Sequence, residues 1–380
     1  MKTAKRLEHI QEYYFSRKLK EINSLISAGK PVINLGIGSP DIMPPSSVVE
    51  KLKKSLESSV AHKYQGYKGI EPLRNAIKDF YLNNYNVNLN PNNQILPLIG
   101  SKEGIMHISL AFLDEGDEVL IPNPGYPTYS AVTKIVGAKP IYYNLKESKS
   151  WLPDINELNK LDLSKVKIMW INYPNMPTGA VCSLNFFQNL IDLCRKHDIL
   201  LVNDNPYSFI LNENPMSLLY NNENCENCLE LNSLSKSHNM AGWRLGMVVG
   251  SKNNIQSILK IKSNMDSGMF YPLQQGAVEA LHQNKKWYAD LNSIYKKRKD
   301  IVVEICDKLN LKYYKNGSGL FLWASINNSS LKSKDFTDEL LYNKNIFVTP
   351  GSIFGTAGEG YVRISLCQEE NKLIEALKRL

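Results

Sequence analysis

The segment "NSLSKSHNMAGWRLG" (residues 232–246) places one lysine among three serines, with an arginine eight residues later. It continues the apolar run "CLELN", which predicts a buried strand, so these polar residues come where a strand ends. Ser233 and Ser235 offer hydroxyl groups and Arg244 a fixed positive charge, a combination that suits a phosphate group. We therefore interpret Lys236 as a functional residue and not as a solvated surface lysine.

A second feature suited to phosphate lies in "IGSKEG" (residues 99–104). The run "QILPLIG" predicts a short strand, and the following helix is predicted to begin at Ser101 as its N-cap. Free N–H groups and the positive dipole end at Ser101 and Lys102 would attract an anion. Two such features predict a phosphorylated cofactor, which Lys236 would carry as an imine.

Strands and helices alternate through the middle of the chain, which predicts an α/β fold with a mostly parallel seven-stranded sheet. In such sheets the chemistry gathers at the carboxyl ends of the strands. The predicted strands are "QILPLIG", "DEVLIP", "KPIYYNL", "VKIMWIN", "ILLVND", "CLELNSLS" and "LGMVVG".

The two ends of the chain are predicted to form a smaller α+β domain. We place the large domain at residues 46–284 and the small domain at residues 1–45 and 285–380. Within the first 26 residues, helical spacing predicts one amphipathic helix. Its apolar positions are Leu7, Ile10, Tyr14, Ile22 and Ile26.

Three further polar or aromatic residues suit a pyridine ring. Asp204 ends the strand "ILLVND" and could keep a ring nitrogen protonated, so that the ring accepts electrons. Tyr207 could hydrogen-bond a phenolic oxygen on that ring. Tyr126, in "PNPGYPTY", could stack on the ring face.

Charge, apolar runs and cysteine content limit which partners and metals the protein can be expected to bind. The net charge of +8 is spread along the chain, without a dense basic run that interleaves aromatic residues, so we expect no nucleic-acid partner. No apolar run approaches the ~18 residues of a membrane span, and no signal peptide is visible, so we expect a cytoplasmic protein without a membrane partner. Of six cysteines only Cys225 and Cys228 form a CxxC; without a second pair we expect free thiols and no metal.

The chain resembles the class I and II aminotransferases of fold type I, which depend on pyridoxal phosphate, over nearly its whole length. The segment "SLSKSHNMAGWRLG" matches the family signature S-x-S-K-x-x-x-x-x-G-x-R-x-G. The segments "YQGYKGIEPLR", "YPNMPTG", "VNDNPY" and "YVRISL" follow the family's order and spacing.

The resemblance implies a role for each matched residue. Lys236 would be the catalytic Schiff-base lysine, and Tyr64 would reach the phosphate in a neighbouring subunit of a homodimer with shared active sites. Arg363 would bind the substrate carboxylate, beside the closing loop at Ile37 and Gly38. The remaining cofactor-binding residues would be Ser101, Lys102, Tyr126, Asp204, Tyr207, Ser233, Ser235 and Arg244.

One position departs from the family pattern. The family usually reads N-P-T-G, and that asparagine also bonds the phenolic oxygen; here Met176 stands in its place, with Asn175 beside it. Consecutive residues of an extended segment point in opposite directions. Either a shifted loop lets Asn175 substitute, or Tyr207 acts alone.

The expected activity is transfer of an amino group from an L-amino acid to a 2-oxo acid such as 2-oxoglutarate. Ile37, Tyr126 and Tyr129 favour an aromatic or large neutral donor. The alternatives are an LL-diaminopimelate or aspartate aminotransferase, the former because "KSNMDSG" (residues 262–268) resembles diaminopimelate aminotransferases, or a carbon–sulfur β-lyase. A DNA-binding regulator would need a further recognition domain, for which residues 1–45 offer little room.

Overall fold

A computed structural model describes residues 1–10, 12–328 and 330–380. Its strands are β1 (Ile33–Asn34), β2 (Ile95–Leu98), β3 (Glu118–Asn123), β4 (Lys139–Asn144), β5 (Val166–Ile171), β6 (Leu200–Asp204), β7 (Cys228–Ser233), β8 (Gly246–Gly250), β9 (Leu311–Tyr313), β10 (Phe321–Ile326), β11 (Ile346–Phe347), β12 (Thr349–Pro350) and β13 (Tyr361–Ser365). Its α-helices are α1 (Tyr14–Ser27), α2 (Ser46–Ser55), α3 (Glu71–Tyr85), α4 (Ser101–Phe112), α5 (Pro127–Ile135), α6 (Ile155–Leu158), α7 (Leu184–Lys196), α8 (Leu234–Ser237), α9 (Lys252–Lys262), α10 (Tyr271–Leu281), α11 (Lys285–Lys308), α12 (Ser333–Lys344) and α13 (Glu370–Arg379). Within the described residues, no helix combines the length and the apolar character needed to cross a lipid bilayer.

The central sheet has seven strands in the order β2-β8-β7-β6-β5-β3-β4. All neighbours run parallel except β8, which is antiparallel to both β2 and β7. The predicted α/β fold with its mostly parallel seven-stranded sheet is therefore confirmed, and each of the seven predicted strand segments contributes one strand.

The inner strands β6, β7 and β8 are buried along their whole length, as expected of a sheet covered on both faces, whereas the edge strand β4 is partly exposed. Along β5 the side chains alternate between two apolar cores: Ile168 and Trp170 pack into one, whereas Met169 and Ile171 pack into the other. Because both faces need apolar side chains, the last four residues of β5, Ile168 to Ile171, form a continuous apolar run. This layering leaves the strand ends as the places where polar side chains can meet.

The C-terminal part forms a second, antiparallel sheet in the order β12-β13-β10-β9. Helices α11 and α13 pack against each other there. The short strand β1 pairs with β11, which joins the N-terminal segment to the C-terminal part of the chain. The domain limits at residues 46–284, 1–45 and 285–380 remain a prediction.

The predicted N-terminal amphipathic helix is present as α1, but it contains only three of its five apolar positions, Tyr14, Ile22 and Ile26, whereas Leu7 and Ile10 lie before it. A 3₁₀ turn spans Lys5–His9, Ile10 has an extended backbone, and α1 begins at Tyr14. Among the five apolar positions only Ile22 is buried, whereas Leu7 and Ile26 are 53% and 48% exposed.

Candidate active site

A cavity of about 410 Å³ lies at the carboxyl ends of the parallel strands. It brings together twelve of the thirteen predicted site residues: Ile37, Gly38, Ser101, Lys102, Tyr126, Asp204, Tyr207, Ser233, Ser235, Lys236, Arg244 and Arg363. The exception is Tyr64, which is 92% exposed on the surface of this chain. Residues from distant parts of the sequence meet here because the strand ends share one edge of the sheet.

The serines after β7 form a compact polar corner of the cavity. The Ser233 hydroxyl caps α8 by accepting a hydrogen bond from the Ser235 N–H (3.1 Å), and it donates to the Ser235 Oγ (2.9 Å). Arg244 is held nearby through a hydrogen bond from its Nη1 to the Ala241 carbonyl oxygen (2.8 Å). Two hydroxyl groups and a guanidinium group thus line the same end of the cavity.

The start of α4 closes this corner. Its N-cap is Gly100 (φ +83°), and no side chain caps the helix, so the prediction of Ser101 as the N-cap is wrong. A Cβ atom at Gly100 would lie 2.2 Å from Arg244 Nη2, so only glycine lets the guanidinium group approach the helix start. Because its hydroxyl caps nothing, Ser101 remains available to a bound anion.

Asp204 ends β6 with one satisfied and one unsatisfied carboxylate oxygen. Its Oδ2 accepts a hydrogen bond from the Tyr129 hydroxyl (2.9 Å), while Oδ1 is buried and has no partner. Burial raises the pKa of Asp204 to about 6, although the Tyr129 hydrogen bond opposes that rise. Tyr129 is fully buried and stacked on Trp170 (5.1 Å between ring centroids), so its hydroxyl supports Asp204.

Lys236 lies in α8, directly after Ser235 of the polar corner. Its Nζ donates to the Gly38 carbonyl oxygen (2.6 Å), an uncharged partner. Burial lowers the pKa of Lys236 to about 8, and the positive charges of Arg363 and Arg244 add to that effect while Cys367 opposes it. The amine can therefore lose its proton near neutral pH.

Arg363, on β13, is buried with uncharged partners. Its Nη2 donates to the Gly36 carbonyl oxygen (2.7 Å), and its guanidinium carbon lies 3.8 Å from the Phe321 ring centroid. Burial lowers the pKa of Arg363 to about 10, so the group stays charged at neutral pH. Among the described residues no carboxylate pairs with it. A buried cation of this kind is suited to an anionic ligand.

The structure distinguishes Met176 from Asn175. Met176 lines the cavity, and its Sδ accepts a hydrogen bond from Arg363 Nη1 (3.2 Å). Asn175 is buried within its own loop, where its Oδ1 accepts from the Thr178 hydroxyl (2.7 Å). Met176, and not Asn175, therefore lines the cavity at this position. The Asn175 Nδ2, the group that could donate to a cofactor oxygen, is buried and has no partner among the described residues.

Sequence reasoning missed the aromatic wall that the N-terminal segment adds to the cavity. Tyr13, Phe15 and Leu19 line it, opposite residues from the sheet. The Lys102 amine lies 4.5 Å from the Tyr13 ring centroid, and the Arg363 guanidinium carbon lies 5.4 Å from that of Phe15. The one available signal was the aromatic run "YYF" at residues 13–15.

Comparisons with known proteins agree with this geometry. Residues 30–380 match the sequence model of the family described as "Aminotransferase class I and II". The chain belongs to the class I and II aminotransferases. One relative, the LL-diaminopimelate aminotransferase of Dehalococcoides mccartyi, is 38% identical over all of this chain and 98% of its own length.

Solved structures also resemble this aminotransferase. BacF from Bacillus subtilis is 33% identical, with a TM-score of 0.94 over all of this chain and 97% of its own. An aromatic aminotransferase from Pyrococcus horikoshii is 30% identical, with a TM-score of 0.86 over 94% of this chain and 97% of its own. The fold is therefore fold type I.

As a member of this family, the enzyme uses pyridoxal 5'-phosphate. The cavity fits that cofactor. Asp204 Oδ1 is a buried acceptor without a donor, which suits a protonated ring nitrogen. The corner around Ser233 and Arg244 suits a phosphate, and Lys236 provides the primary amine.

Proposed function

We propose that this aminotransferase takes its amino group from LL-diaminopimelate and passes it to a 2-oxo acid such as 2-oxoglutarate. The observation that carries the donor assignment is the 38% identity to an enzyme named for that donor, over all of this chain and 98% of that enzyme. The segment at residues 262–268, which resembles diaminopimelate aminotransferases, also supports it. An aromatic donor, favoured by the sequence alone, becomes the second candidate.

The cofactor roles follow from the cavity. Pyridoxal phosphate, when bound, accepts the electron pair left at the donor's α-carbon. We assign Asp204 to the ring nitrogen, Tyr207 to the phenolic oxygen and Tyr126 to the ring face. We assign phosphate binding to the residues of the polar corner: Ser101, Lys102, Ser233, Ser235 and Arg244.

Lys236 is the general base in this proposal. Its low pKa, about 8, comes from burial, so a substantial fraction of the amine is neutral at slightly alkaline pH. The Gly38 carbonyl oxygen holds the amine without neutralising it, since it is only a dipole. Lys236 would then remove the proton from the donor's α-carbon and deliver it to the cofactor carbon that is bonded to the donor's nitrogen.

Arg363 binds the α-carboxylate of both substrates. Its partners on this chain are a carbonyl oxygen and a thioether sulfur, so a carboxylate would replace weak contacts with a charge-assisted pair. Stacking on Phe321 fixes the plane of the guanidinium group. Ile37 and Gly38 line the cavity beside Arg363. Any side chain at Gly38 would clash with Phe321, because a Cβ atom there would lie 2.0 Å from the Phe321 ring. One site for both substrates predicts ping-pong kinetics.

A homodimer with shared active sites completes the proposal. Tyr64 is exposed and does not line the cavity of its own chain. Nearby apolar side chains are also exposed: Tyr67 is 46%, Met265 61% and Phe270 48% exposed. The segment with Met265 and Phe270 packs beside the Tyr64 segment, since a Cβ atom at Gly268 would lie only 2.4 Å from the Gln65 carbonyl oxygen. We propose that a second copy covers this surface and receives Tyr64 at its phosphate site.

An aromatic or large neutral donor is the second candidate because of the cavity walls. Tyr13, Phe15, Ile37 and Phe321 give them apolar character, and one structural neighbour is named an aromatic aminotransferase. Among the described residues, Asp204 is the only carboxylate that lines the cavity. The distal ammonium of LL-diaminopimelate would then bind hydroxyl groups or residues of the second subunit.

A half-reaction experiment separates these donors. Single amino acids are added to the cofactor-loaded enzyme without a 2-oxo acid, and the visible absorbance is recorded. LL-diaminopimelate should bleach the band, and 2-oxoglutarate should restore it. Matched controls are L-2-aminopimelate, which lacks the distal amino group, and L-lysine, which lacks the distal carboxylate.

Other outcomes contradict the donor assignment. Faster bleaching by phenylalanine or tyrosine supports the second candidate, and faster bleaching by aspartate supports the aspartate alternative. Release of pyruvate and ammonia from cystathionine without an acceptor identifies a carbon–sulfur β-lyase. If no donor changes the band, the assignment of Lys236 as the base is wrong.

A further inference from the structure

Two thiols lie close together at the amino end of β7, whereas the active-site cavity lies at the carboxyl ends of the parallel strands. Cys225 and Cys228 are separated by two residues, and their sulfur atoms are 3.1 Å apart, with the Cys228 S–H donating to Cys225. A disulfide needs a sulfur–sulfur distance of ~2.05 Å, so a closure of about 1 Å would join them. The other four cysteines, Cys182, Cys194, Cys306 and Cys367, are free and buried.

The two thiols are chemically unequal. Cys225 is half-buried in the loop before β7, and Arg195 Nη2 lies 4.0 Å from its sulfur. The hydrogen bond from Cys228, assisted by the Asn227 backbone and Arg195, lowers the pKa of Cys225 to about 6. Donating that hydrogen bond raises the pKa of Cys228, and its burial at the start of β7 adds to the rise. Cys225 is therefore the accessible thiolate, and Cys228 is the protonated partner behind it.

A neighbouring cysteine is a poor competitor for this pair. Cys194, near the end of α7, is fully buried and contacts Met169 Sδ at 3.9 Å. Burial raises the pKa of Cys194 to about 12, so it remains a thiol at neutral pH. Oxidation would therefore concentrate on Cys225 and Cys228.

The loop that carries Cys225 is tied to its surroundings on both sides of the pair. The Glu226 carboxylate accepts a hydrogen bond from the Ser251 hydroxyl (2.8 Å), and the Glu223 carbonyl oxygen accepts one from Gln94 (2.7 Å). The Asn227 carbonyl oxygen accepts one from the Leu201 N–H (2.8 Å). These bonds fix the two sulfur atoms near each other without using any residue of the active-site cavity.

We propose that Cys225 and Cys228 form a reversible dithiol–disulfide pair that exchanges with an external disulfide, either a small molecule or a protein. The Cys225 thiolate attacks the external disulfide, forms a mixed disulfide and expels one thiolate. Cys228 loses its proton and attacks the Cys225 sulfur, which expels the second thiolate. The pair loses two electrons and two protons overall, and the external disulfide becomes two thiols.

The test uses full-length, cofactor-loaded enzyme equilibrated with graded ratios of reduced and oxidised glutathione. Free thiols are counted after denaturation, and the digest is analysed by mass spectrometry. We expect the count to fall from six to four, with a bond between Cys225 and Cys228. Dithiothreitol should restore all six. A constant count of six across the series, or a bond that involves another cysteine, overturns the proposal.

Three variants sharpen the result. Cys228→Ser should trap Cys225 as a mixed disulfide with glutathione, because the second thiol is missing. Cys225→Ser should remain unmodified at Cys228, since that thiol is buried and protonated. Cys194→Ser is the matched control and should still lose two thiols. If Cys228→Ser gains no glutathione, Cys225 is not the attacking thiol.

A second measurement needs no variant. The rate of alkylation of Cys225 by iodoacetamide, followed by mass spectrometry, should have its midpoint near pH 6, against ~8.5 for an ordinary thiol. Alkylation of Cys228 should be slower at every pH up to 8. An ordinary midpoint for Cys225 overturns its assignment as the accessible thiolate.

Discussion

Two buried carboxylates on adjacent strands show how the active site differs from the scaffold. Glu230, on β7, accepts hydrogen bonds at both oxygens: from the Tyr81 and Ser217 hydroxyls at Oε1, and from Asn203 and the Leu218 N–H at Oε2. Asp204, on β6, has one partner at Oδ2 and none at Oδ1. Glu230 is satisfied by the fold itself, whereas Asp204 is only half satisfied.

The buried arginines differ in the same way. Arg298 is paired with Asp41 through two hydrogen bonds of 2.7 and 2.8 Å. Arg363 contacts a carbonyl oxygen, a thioether and aromatic rings. Leaving a buried charge without its counter-ion costs free energy of folding. Asp204 and Arg363, the two charged groups with incomplete pairing, both line one cavity. A bound ligand can supply the missing partners there.

The largest effect is expected at Lys236. In Lys236→Ala, turnover should fall by about 10⁴-fold, because the general base is lost. Pyridoxal phosphate should still bind, which equilibrium dialysis can measure. Lys299→Ala is the matched control: Lys299 is also half-buried and donates to two carbonyl oxygens, but outside the cavity. Full activity in Lys236→Ala would remove the lysine from the mechanism.

Asp204→Asn should lower kcat/KM by about 10²–10³-fold, since a charge that stabilises the reacting ring is removed. The same change should stabilise the cofactor-free protein at neutral pH. Burial raises the pKa of Asp204 from 3.8 to about 6, so wild-type stability falls as pH rises through about 4 to 6. The difference is on the order of 3 kcal/mol.

Urea unfolding of the cofactor-free Asp204→Asn protein at pH 4 and pH 8 measures this difference. The variant should have a higher free energy of unfolding than the wild type only at pH 8. A variant that is less stable than the wild type at both values would mean that Asp204 is a structural residue like Glu230.

Arg363→Lys should raise KM for both the amino acid and the 2-oxo acid by roughly tenfold, because lysine keeps the charge but loses the planar bidentate fork. Steady-state kinetics with each substrate varied in turn measures the change. Arg298→Lys is the matched variant; it should lower the melting temperature and leave both KM values unchanged. A KM change for only one substrate would contradict a shared carboxylate site.

Glu230→Gln should destabilise the protein by about 1–3 kcal/mol, because an amide group would face hydrogen-bond donors. The kcat of the folded fraction should stay near the wild-type value. Urea unfolding together with active-site titration separates stability from activity. A large loss of kcat without a loss of stability would erase the contrast with Asp204.

The smallest effect is expected from Met176→Asn, which restores a donor beside the cofactor oxygen. A hydrogen bond to that oxygen favours its ionised form, so the pH midpoint of the visible absorbance of the loaded enzyme should shift to lower values. Met176→Leu keeps the apolar wall and should leave the midpoint in place. Equal midpoints in both variants would show that residue 176 does not contact the cofactor oxygen.

Much of the site was predictable because its residues follow strand ends in a recognisable order. Lys236, Asp204 and Arg363 line one cavity, and each of the seven predicted strand segments contributes one strand of the sheet. The homodimer and the cytoplasmic location remain predictions. The predicted N-terminal helix is present but begins only at Tyr14, so the apolar positions Leu7 and Ile10 lie outside it.

The sequence by itself determined the family and the fold. Strand periodicity, helix starts and the motif around Lys236 depend on residues that are close together in the chain. Such local patterns can be recognised from the sequence alone. Tertiary structure alone decided which of Asn175 and Met176 faces the cavity, and that Tyr129 supports Asp204. Such pairings join residues far apart in sequence, and a side chain's direction depends on which partners the packed fold brings within hydrogen-bond distance.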